Sequence, residues 1–221
     1  MVSFPLELRS KVGGHLERIY GAAPDNMINE VLQRMNYERI ESDHPPGKNY
    51  WDESRAILIT YGDSITGPPE PPLASLNEFV EQRLSDVISD VHILPFFPSS
   101  SDDGFAVKDY LSVDGELGQW SDIELICENR GLLVDLVINH CSSEHPWFEQ
   151  FKSNASPGKD FFVEVDPLSD LSKVVRPRTS ELLRETERED GSSFVWCTFS
   201  HDQVDLDFAN PEVLKEMVSI I

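Results

Sequence analysis

Apolar residues along this chain form short β-type runs that alternate with stretches of helical spacing, and these patterns predict its strands and helices. Short β-type runs occur at residues 56–61, 90–96 and 132–139. Between them, apolar positions recur at helical spacing over 73–84 and over 121–130, where Ser121-x-x-Glu124 has the pattern of a capping box and Gly131 ends the helix. Strands that alternate with helices are typical of a parallel α/β sheet. The pattern leaves both a closed barrel and an open doubly wound sheet possible.

Two further helices are predicted before the first strand. Apolar side chains recur at helical spacing over residues 6–20 and 26–40, and Gly21 and Pro24 separate the two stretches. Met27 and Met35 are expected to fill the core between these helices rather than to bind a ligand. Residues 42–49 form a polar linker.

The third strand run, LLVDLVINHC, carries an acid in its apolar centre and ends in an Asn-His pair. Asp135 would be costly to bury there unless it were hydrogen-bonded or beside a polar cavity. Asn139 and His140 are expected at the carboxyl end of the strand, where barrels and open α/β sheets bind ligands. The alternative is a buried acid bonded to the backbone and a histidine that caps a loop.

The exit of the second strand has a similar mixture of polar and apolar groups. Asp102 and Asp103 precede Gly104, which permits a tight turn, and Phe105 follows it. Acids that accept bonds from hydroxyls beside an aromatic ring are typical of a pocket for a small polar ligand. A solvated Asp-Gly turn is the alternative.

These segments resemble the α-amylase clan, glycoside hydrolase family 13, and within it the sucrose phosphorylase group. The resemblance is carried, in the family's order, by residues 61–65 (YGDSI), 92–105, 135–140 and 195–207 (VWCTFSHDQVDLD). It implies an α/β fold that is part of a TIM (β/α)8 barrel, with the first three βα units and the start of a small inserted domain. The implied domains are 1–50, amino-terminal helices and linker; 51–151, first part of the barrel; 152–200, inserted domain; and 201–221, a return segment and helix.

The resemblance also implies the residues that bind substrate. Asp102 and His140 would bind the glucosyl ring of an α-glucoside, Phe105 and Phe199 would clamp it, and Gln203 would lie nearby.

The resemblance also suggests which residues support the site and which compound accepts the glucosyl group. Asp135 and Asn139 would support the sugar-binding residues. Residues 106–110 (AVKDY) depart from the sucrose phosphorylase pattern, and the paired acids with Tyr110 are more similar to the glucosylglycerate phosphorylase branch. The acceptor therefore stays open.

The catalytic carboxyl groups are the main feature that the sequence lacks. Retaining glycoside chemistry requires a nucleophile and an acid/base about 5 Å apart. In this family the nucleophile follows an Arg-x-Asp strand, beyond the helix that Asn210 opens, and no such strand occurs in this chain. A full barrel also needs about 250 residues. We therefore expect the amino-terminal part of an enzyme, with no catalytic residue of its own and no turnover in isolation.

Three functions remain possible. The first is a retaining glycoside phosphorylase that acts on sucrose or glucosylglycerate and uses inorganic phosphate to release glucose 1-phosphate. The second is an α-glucosidase, an amylase-like hydrolase or a transglucosidase of the same clan. The third is a non-catalytic remnant that binds sugar.

The stretch after the third strand changes in composition. Residues 161–163 are expected to form a strand, and residues 171–191 are expected to be mobile because they are rich in charge and poor in large apolar side chains. Four arginines in this stretch alternate with glutamates, which favours a solvated, salt-bridged face over a phosphate site. They are Arg176, Arg178, Arg184 and Arg188.

Composition limits the partners. A formal charge of −22 disfavours nucleic acid and anionic membranes and suits a neutral sugar. The first thirty residues lack a signal-peptide core and no apolar run approaches the roughly 20 residues of a membrane span, so the cytoplasm is expected. Three cysteines in apolar surroundings are expected to be reduced core thiols. No cofactor is expected and no metal, since His92, His140 and His145 lack zinc spacing and calcium has no support.

Overall fold

The structure, a computed structural model, describes residues 4–35, 52–176 and 178–221. Its helices are α1 (Leu6–Tyr20), α2 (Asp25–Arg34), α3 (Pro72–Leu84), α4 (Trp120–Cys127), α5 (Pro146–Lys152) and α6 (Pro211–Ile220). Its strands are β1 (Ile57–Thr60), β2 (Asp90–Ile93), β3 (Gly131–Val134), β4 (His140–Ser142), β5 (Leu183–Arg188), β6 (Gly191–Trp196) and β7 (Gln203–Asp205). Two compact units contain these elements: Met1–Lys48 with Asp207–Ile221, and Asn49–Leu206.

A parallel sheet in the order β1-β2-β3 organises the larger unit. Its register aligns Leu58 with Val91 and Val91 with Leu132, so these side chains lie on one face. That face packs into a core with α3 and α4, in which Leu76 and Ile123 are almost completely buried. The predicted parallel α/β arrangement is therefore confirmed, and the three strands end at the same edge of the sheet.

The third strand is shorter than predicted. Its pairing with β2 ends where Ile93 lies opposite Val134, so the chain leaves the sheet at Asp135. Residues 140–142 then pair antiparallel with β7 in a separate two-stranded ribbon. The prediction of one strand over 132–139 was wrong, and Asp135 follows the strand instead of lying in its middle.

The cap of α4 also differs from the prediction. The helix begins at Trp120, and a reciprocal capping box joins Gln119 and Asp122, whose carboxylate accepts a 2.9 Å hydrogen bond from the Gln119 backbone N–H. The predicted Ser121 and Glu124 box was wrong because the residue before Trp120 takes the extended cap conformation.

The region after α5 contains more regular structure than its composition suggested. β5 and β6 form an antiparallel hairpin, with Leu183 opposite Trp196 and Arg188 opposite Gly191. The expectation of mobility over 171–191 was wrong for this half of the segment. The expected strand over 161–163 is absent, since Phe162 forms only an isolated bridge with Leu206.

In the described part of the chain, the ion pairs of the arginines in this region involve acids other than the glutamates that alternate with them in sequence. Arg188, whose side chain is 10% exposed, forms ion pairs with Glu164 at 3.1 Å and Asp190 at 3.2 Å. The guanidinium groups of Arg184 and Arg176 donate to backbone carbonyls, those of His201 and Thr198. The predicted salt bridges are thus replaced at Arg176 and Arg184 by bonds to loop carbonyls, whereas Arg178 is exposed as expected.

The cysteines follow the prediction in part. Cys141 and Cys197 are buried free thiols, whereas Cys127 is an exposed one. The expectation of three core thiols was wrong for Cys127.

The smaller unit packs α1, α2 and α6 around Leu16, Met27 and Leu32, against which Leu214 also packs. The prediction that Met27 fills this core is confirmed. The helix expected over 26–40 ends at Arg34, and residues 36–40 lie outside the described residues. Across the described ranges, no helix has the length and apolar character needed to cross a membrane.

His145 couples the stability of the larger unit to pH. Its Nδ1 accepts the Trp147 backbone N–H at 3.1 Å and so caps α5. Burial lowers the pKa of His145 to about 4, against the opposing effect of the nearby Asp109 carboxylate. Between pH 6.5 and about pH 4, the histidine is protonated in the unfolded chain but neutral in the folded chain, so protonation favours unfolding. This contribution to stability is therefore complete above pH 6.5 and is lost as the pH falls to about 4.

We predict that His145→Asn removes this pH dependence, because asparagine keeps a capping acceptor but does not titrate. Between pH 7 and pH 4, the free energy of unfolding of the parent chain should fall by roughly 3 kcal/mol more than that of the variant. Urea unfolding at both pH values measures the difference. Equal pH dependence in the two proteins would contradict the assignment.

Candidate functional site

A cavity of about 450 Å³ lies at the carboxyl edge of the parallel sheet, a volume within the range of roughly 300–1,000 Å³ usual for small-molecule sites. It receives residues from the exits of β1, β2 and β3 and from the loops around β4 and β7. Its lining consists of Tyr61, Asp102, Asp103, Phe105, Asp135, Leu136, Val137, Asn139, His140, Arg178, Phe199 and Gln203. We call this space the cavity.

The exit of β2 reaches the cavity through an unusual backbone turn. Asp102, Asp103 and Gly104 have φ values of 58°, 50° and 99°. A Cβ atom at Gly104 would lie 2.4 Å from the Pro95 carbonyl oxygen, so the turn requires glycine there. Aspartate is among the residues that tolerate the left-handed region best. The prediction of a tight turn at Gly104 is confirmed, and the turn places Asp102 and Phe105 at the cavity.

Gln203 joins the exit of β2 to β4. Its side-chain amide nitrogen donates to Asp102 Oδ2 at 2.8 Å and lies 3.3 Å from His140 Nε2. Its amide oxygen accepts from the Ser200 hydroxyl at 3.0 Å. Because Gln203 is only 1% exposed, its bonds with Asp102 and Ser200 fix the orientation of the amide. Three side chains from distant parts of the chain thus meet at one point of the cavity.

The imidazole of His140 is held in one orientation and one tautomer. Its Nε2 lies 2.9 Å from the Phe105 carbonyl oxygen, which can only accept, so this nitrogen carries the proton. The Tyr110 hydroxyl donates to the His140 backbone carbonyl at 3.0 Å. Burial lowers the pKa of His140, although the Phe105 carbonyl and the charges of Asp205 and Asp102 act in the opposite direction. The ring is therefore neutral at pH 7.

Asp205 lies opposite His140 in the β4–β7 ribbon and brings a further carboxyl group close to this histidine. Burial raises the pKa of Asp205, while hydrogen bonds from the Thr198 backbone N–H and hydroxyl, both 2.7 Å long, act to lower it. The hydrogen bonds direct this carboxyl group toward Thr198. It does not line the cavity.

Two phenylalanines and an arginine give the cavity its remaining character. Phe105 and Phe199 both line it, and the Phe199 ring centroid lies 5.1 Å from that of His140. The Arg178 guanidinium lies 5.8 Å from the Phe199 ring centroid, within the range of a cation–π contact. The lining therefore combines apolar ring faces, three carboxylates and one cationic group.

Asp135 and Asn139 also line the cavity. Asp135 Oδ2 lies 3.0 Å from His92 Nε2, and His92 comes from the neighbouring strand β2. The Asn139 backbone carbonyl accepts from the Leu206 N–H at 2.9 Å. The pairing with His92 holds Asp135 directly after β3.

All seven residues singled out from the sequence line one cavity, together with Asp103, the other acid of the Asp-Gly turn that the sequence had indicated. The structure adds further residues that the sequence reasoning did not assign to the cavity. Tyr61 directly follows β1, so the shared edge of the three strands was a usable signal for it. Asp103 lies in the strained turn beside Asp102. Arg178 had no local signal, since only the folding of its loop toward Phe199 brings it to the cavity.

The arrangement is suited to binding a neutral polyhydroxyl compound. Carboxylates accept bonds from hydroxyl groups, the Gln203 and Asn139 amides can donate and accept, and the ring faces cover apolar C–H surfaces. Among the described residues, no group of three or more His, Cys, Asp or Glu side chains is arranged to hold a metal ion.

Comparisons with known proteins show the family to which the chain is similar. The family model for the alpha amylase catalytic domain matches residues 87–221. Glucosylglycerate phosphorylase from Allomeiothermus silvanus is 46% identical over 100% of this chain and 39% of its own length. Sucrose phosphorylase from Streptococcus mutans is 34% identical over 70% of this chain and 34% of its own length.

A solved structure confirms the fold. The crystal structure of sucrose 6F-phosphate phosphorylase from Thermoanaerobacter thermosaccharolyticum superimposes with a TM-score of 0.69 and 33% identity, over 77% of this chain and 37% of that one. The fold is thus the first part of a (β/α)8 barrel, as predicted. The chain spans about two fifths of the length of these relatives. It belongs to the alpha-amylase family, of whose catalytic domain it forms a part.

Proposed function

We propose that this chain supplies the glucosyl-binding part of a retaining glycoside phosphorylase that acts on an α-glucoside such as glucosylglycerate. The observation that carries the proposal is the meeting of Asp102, His140 and Gln203 at one cavity, within 3.3 Å of the Gln203 amide nitrogen. In this proposal a carboxylate takes the glucosyl group and inorganic phosphate releases it as glucose 1-phosphate. The sequence predicts that this carboxylate lies beyond residue 221.

The polar groups of the cavity support recognition of a glucosyl ring. The Asp102 carboxylate is exposed and accepts one bond from Gln203, which leaves further lone pairs for sugar hydroxyls. Phe105 and Phe199 present apolar surface to the ring. Asp135 and Asn139 add acceptors at the same wall.

Arg178 supports an anionic co-substrate. It is the cationic side chain among those that line the cavity, whose other charged residues are Asp102, Asp103 and Asp135. A guanidinium group binds phosphate and carboxylate oxygens in bidentate geometry. Inorganic phosphate and the carboxylate of a glycerate unit both fit this chemistry. The rim at Arg178 is therefore the proposed position of the anion.

The similarity pattern favours glucosylglycerate over sucrose. The glucosylglycerate phosphorylase matches the whole chain at 46% identity, whereas the sucrose phosphorylase matches 70% of it at 34%. The free thiols at Cys127, Cys141 and Cys197 favour the cytoplasm as the compartment of the proposed reaction.

A hydrolase of the same family is the second candidate. A glucosyl-binding site of this kind is compatible with transfer of the glucosyl group either to water or to phosphate. The likeness to trehalose-6-phosphate hydrolase from Bacillus licheniformis at 19% identity shows a shared fold. The dependence of product formation on phosphate separates the two.

We predict that the 221-residue chain alone forms no glucose 1-phosphate, and that a fusion of it to the carboxy-terminal remainder of the Allomeiothermus silvanus relative does. The fusion should convert glucosylglycerate only when phosphate is present. Chromatography of the products with and without phosphate tests this. Turnover by the chain alone, or release of free glucose at the same rate without phosphate, would contradict the proposal.

We predict different consequences for Asp102→Ala and His140→Ala in that fusion. Asp102 is exposed, so its loss should reduce kcat/KM by roughly 100-fold with little change in thermal midpoint. His140 is only 4% exposed and bonded to Phe105, so its loss should lower both activity and thermal midpoint. Unchanged kcat/KM in Asp102→Ala would remove it from the binding site.

We predict that Arg178→Ala raises the KM for phosphate by roughly tenfold or more, because it removes a charge-assisted contact. Arg188→Ala is the matched control, since Arg188 pairs with Glu164 away from the cavity. Initial rates at varied phosphate measure both. An unchanged KM for phosphate in the Arg178 variant would exclude Arg178 as the phosphate-binding group.

A further inference from the structure

The Asp202 carboxylate accepts hydrogen bonds from serine hydroxyls in two separate segments of the chain. Its Oδ2 accepts from the Ser100 hydroxyl at 2.6 Å and also from the Ser101 hydroxyl. Its Oδ1 accepts from the Ser143 hydroxyl at 2.7 Å, and its backbone carbonyl accepts from the Ser143 N–H at 2.8 Å. One side chain therefore connects the exit of β2 to the residue that follows β4.

The partners of Asp202 adjoin the residues that meet in the cavity. Ser101 directly precedes Asp102, and Ser143 lies three positions after His140. Asp202 itself directly precedes Gln203, which bonds Asp102. Asp202 does not line the cavity. Its hydrogen bonds instead link its own segment to the segments that contain Asp102 and His140.

We propose that Asp202 is a positioning residue, which sets the distances among Asp102, His140 and Gln203 and thereby the shape of the glucosyl site. This inference rests on the proposed function.

The turn at Asp102 explains why such a link is needed. Two successive aspartates in the left-handed region are strained and persist only where surrounding contacts hold them. The Asp202 carboxylate binds the two serines just before this turn. Although burial acts to raise it, the pKa of Asp202 lies below its ordinary value because the serine hydroxyls donate to the carboxylate. The carboxylate is therefore ionised and accepts at both oxygens near neutral pH.

The chain contains a matched control for Asp202. Asp109 also accepts from a serine hydroxyl, that of Ser112, and from a backbone N–H, that of Leu111 at 2.8 Å. The Ser112 hydroxyl bond lowers the pKa of Asp109 as well. Asp109 does not line the cavity or bond to Ser100, Ser101 or Ser143. Asp109→Asn thus removes the same charge without touching the link.

The test compares Asp202→Asn with Asp109→Asn in the fusion described above. We expect Asp202→Asn to reduce kcat/KM for glucosylglycerate by roughly tenfold or more. The variant should still unfold in a cooperative thermal transition, which shows that it is folded. Ser101→Ala and Ser143→Ala, which each delete one hydroxyl, should give smaller losses in the same direction. Asp109→Asn should stay within twofold of the parent. If Asp202→Asn unfolds, the two serine variants decide.

A second measurement needs no activity. In the 221-residue chain, hydrogen exchange at the Phe105 amide, which donates to the Asp102 carbonyl at 3.0 Å, should accelerate in Asp202→Asn but not in Asp109→Asn. The Leu94 amide, which donates to Thr60 in the sheet, should exchange at an unchanged rate.

The outcomes separate the two proposals. An active parent fusion with unchanged kcat/KM in Asp202→Asn and in both serine variants would overturn the positioning role and leave the proposed function intact. An inactive parent fusion would overturn the proposed function, and the exchange rates at Phe105 would then decide whether Asp202 holds the turn. A lower midpoint with unchanged kcat/KM would show a structural role alone and would also overturn the proposal.

Discussion

Parallel pairing of three strands is the constraint on which the cavity depends. Because β1, β2 and β3 run in the same direction, their carboxyl ends open on one edge of the sheet. Tyr61, the turn at Asp102 and Asp135 follow these ends and reach the same space. The apolar core with α3 and α4 buries one face of the sheet and thereby fixes the register of the strands. Because the register is fixed, the strands end at defined positions, and the polar residues that follow them meet at the edge of the sheet.

The sheet alone does not determine the finer geometry of the cavity. His140 and Gln203 lie on the separate β4–β7 ribbon, and contacts between side chains and loop backbone connect this ribbon to the β2 exit. The Phe105 carbonyl orients the His140 ring, and the Gln203 amide donates to Asp102 beside that ring. Buried hydrogen bonds of this kind are costly to break, since each broken bond leaves an unpaired polar group. A rigid sheet edge and a bonded ribbon together shape the proposed glucosyl site.

The sequence predicted the sheet and much of the site because both follow from local patterns. Apolar runs followed by polar residues identified His140 and the acids at 102 and 103 without knowledge of the fold, although His140 lies on β4 and not at the end of β3. Gly104 identified the turn before Phe105. Phe199 and Gln203 came from resemblance, since their segment has no periodic pattern that would place it beside the sheet.

The failures have a common physical origin in contacts between distant residues. The end of β3 at Val134 depends on its register with β2, which a single run of apolar residues does not show. The β5–β6 hairpin is stabilised by cross-strand pairs in a segment whose composition favours disorder. Arg178 reaches the cavity through its loop, and the polar residues around it in sequence favoured a solvated surface.

Whether the cavity binds a glucosyl unit can be decided by a crystal structure of the fusion with bound glucose. We expect electron density for one ring in the cavity, with hydroxyl groups within hydrogen-bond distance of Asp102 and with Phe105 and Phe199 against its faces. Glucose bound elsewhere, with the cavity filled only by water at saturating sugar, would contradict it.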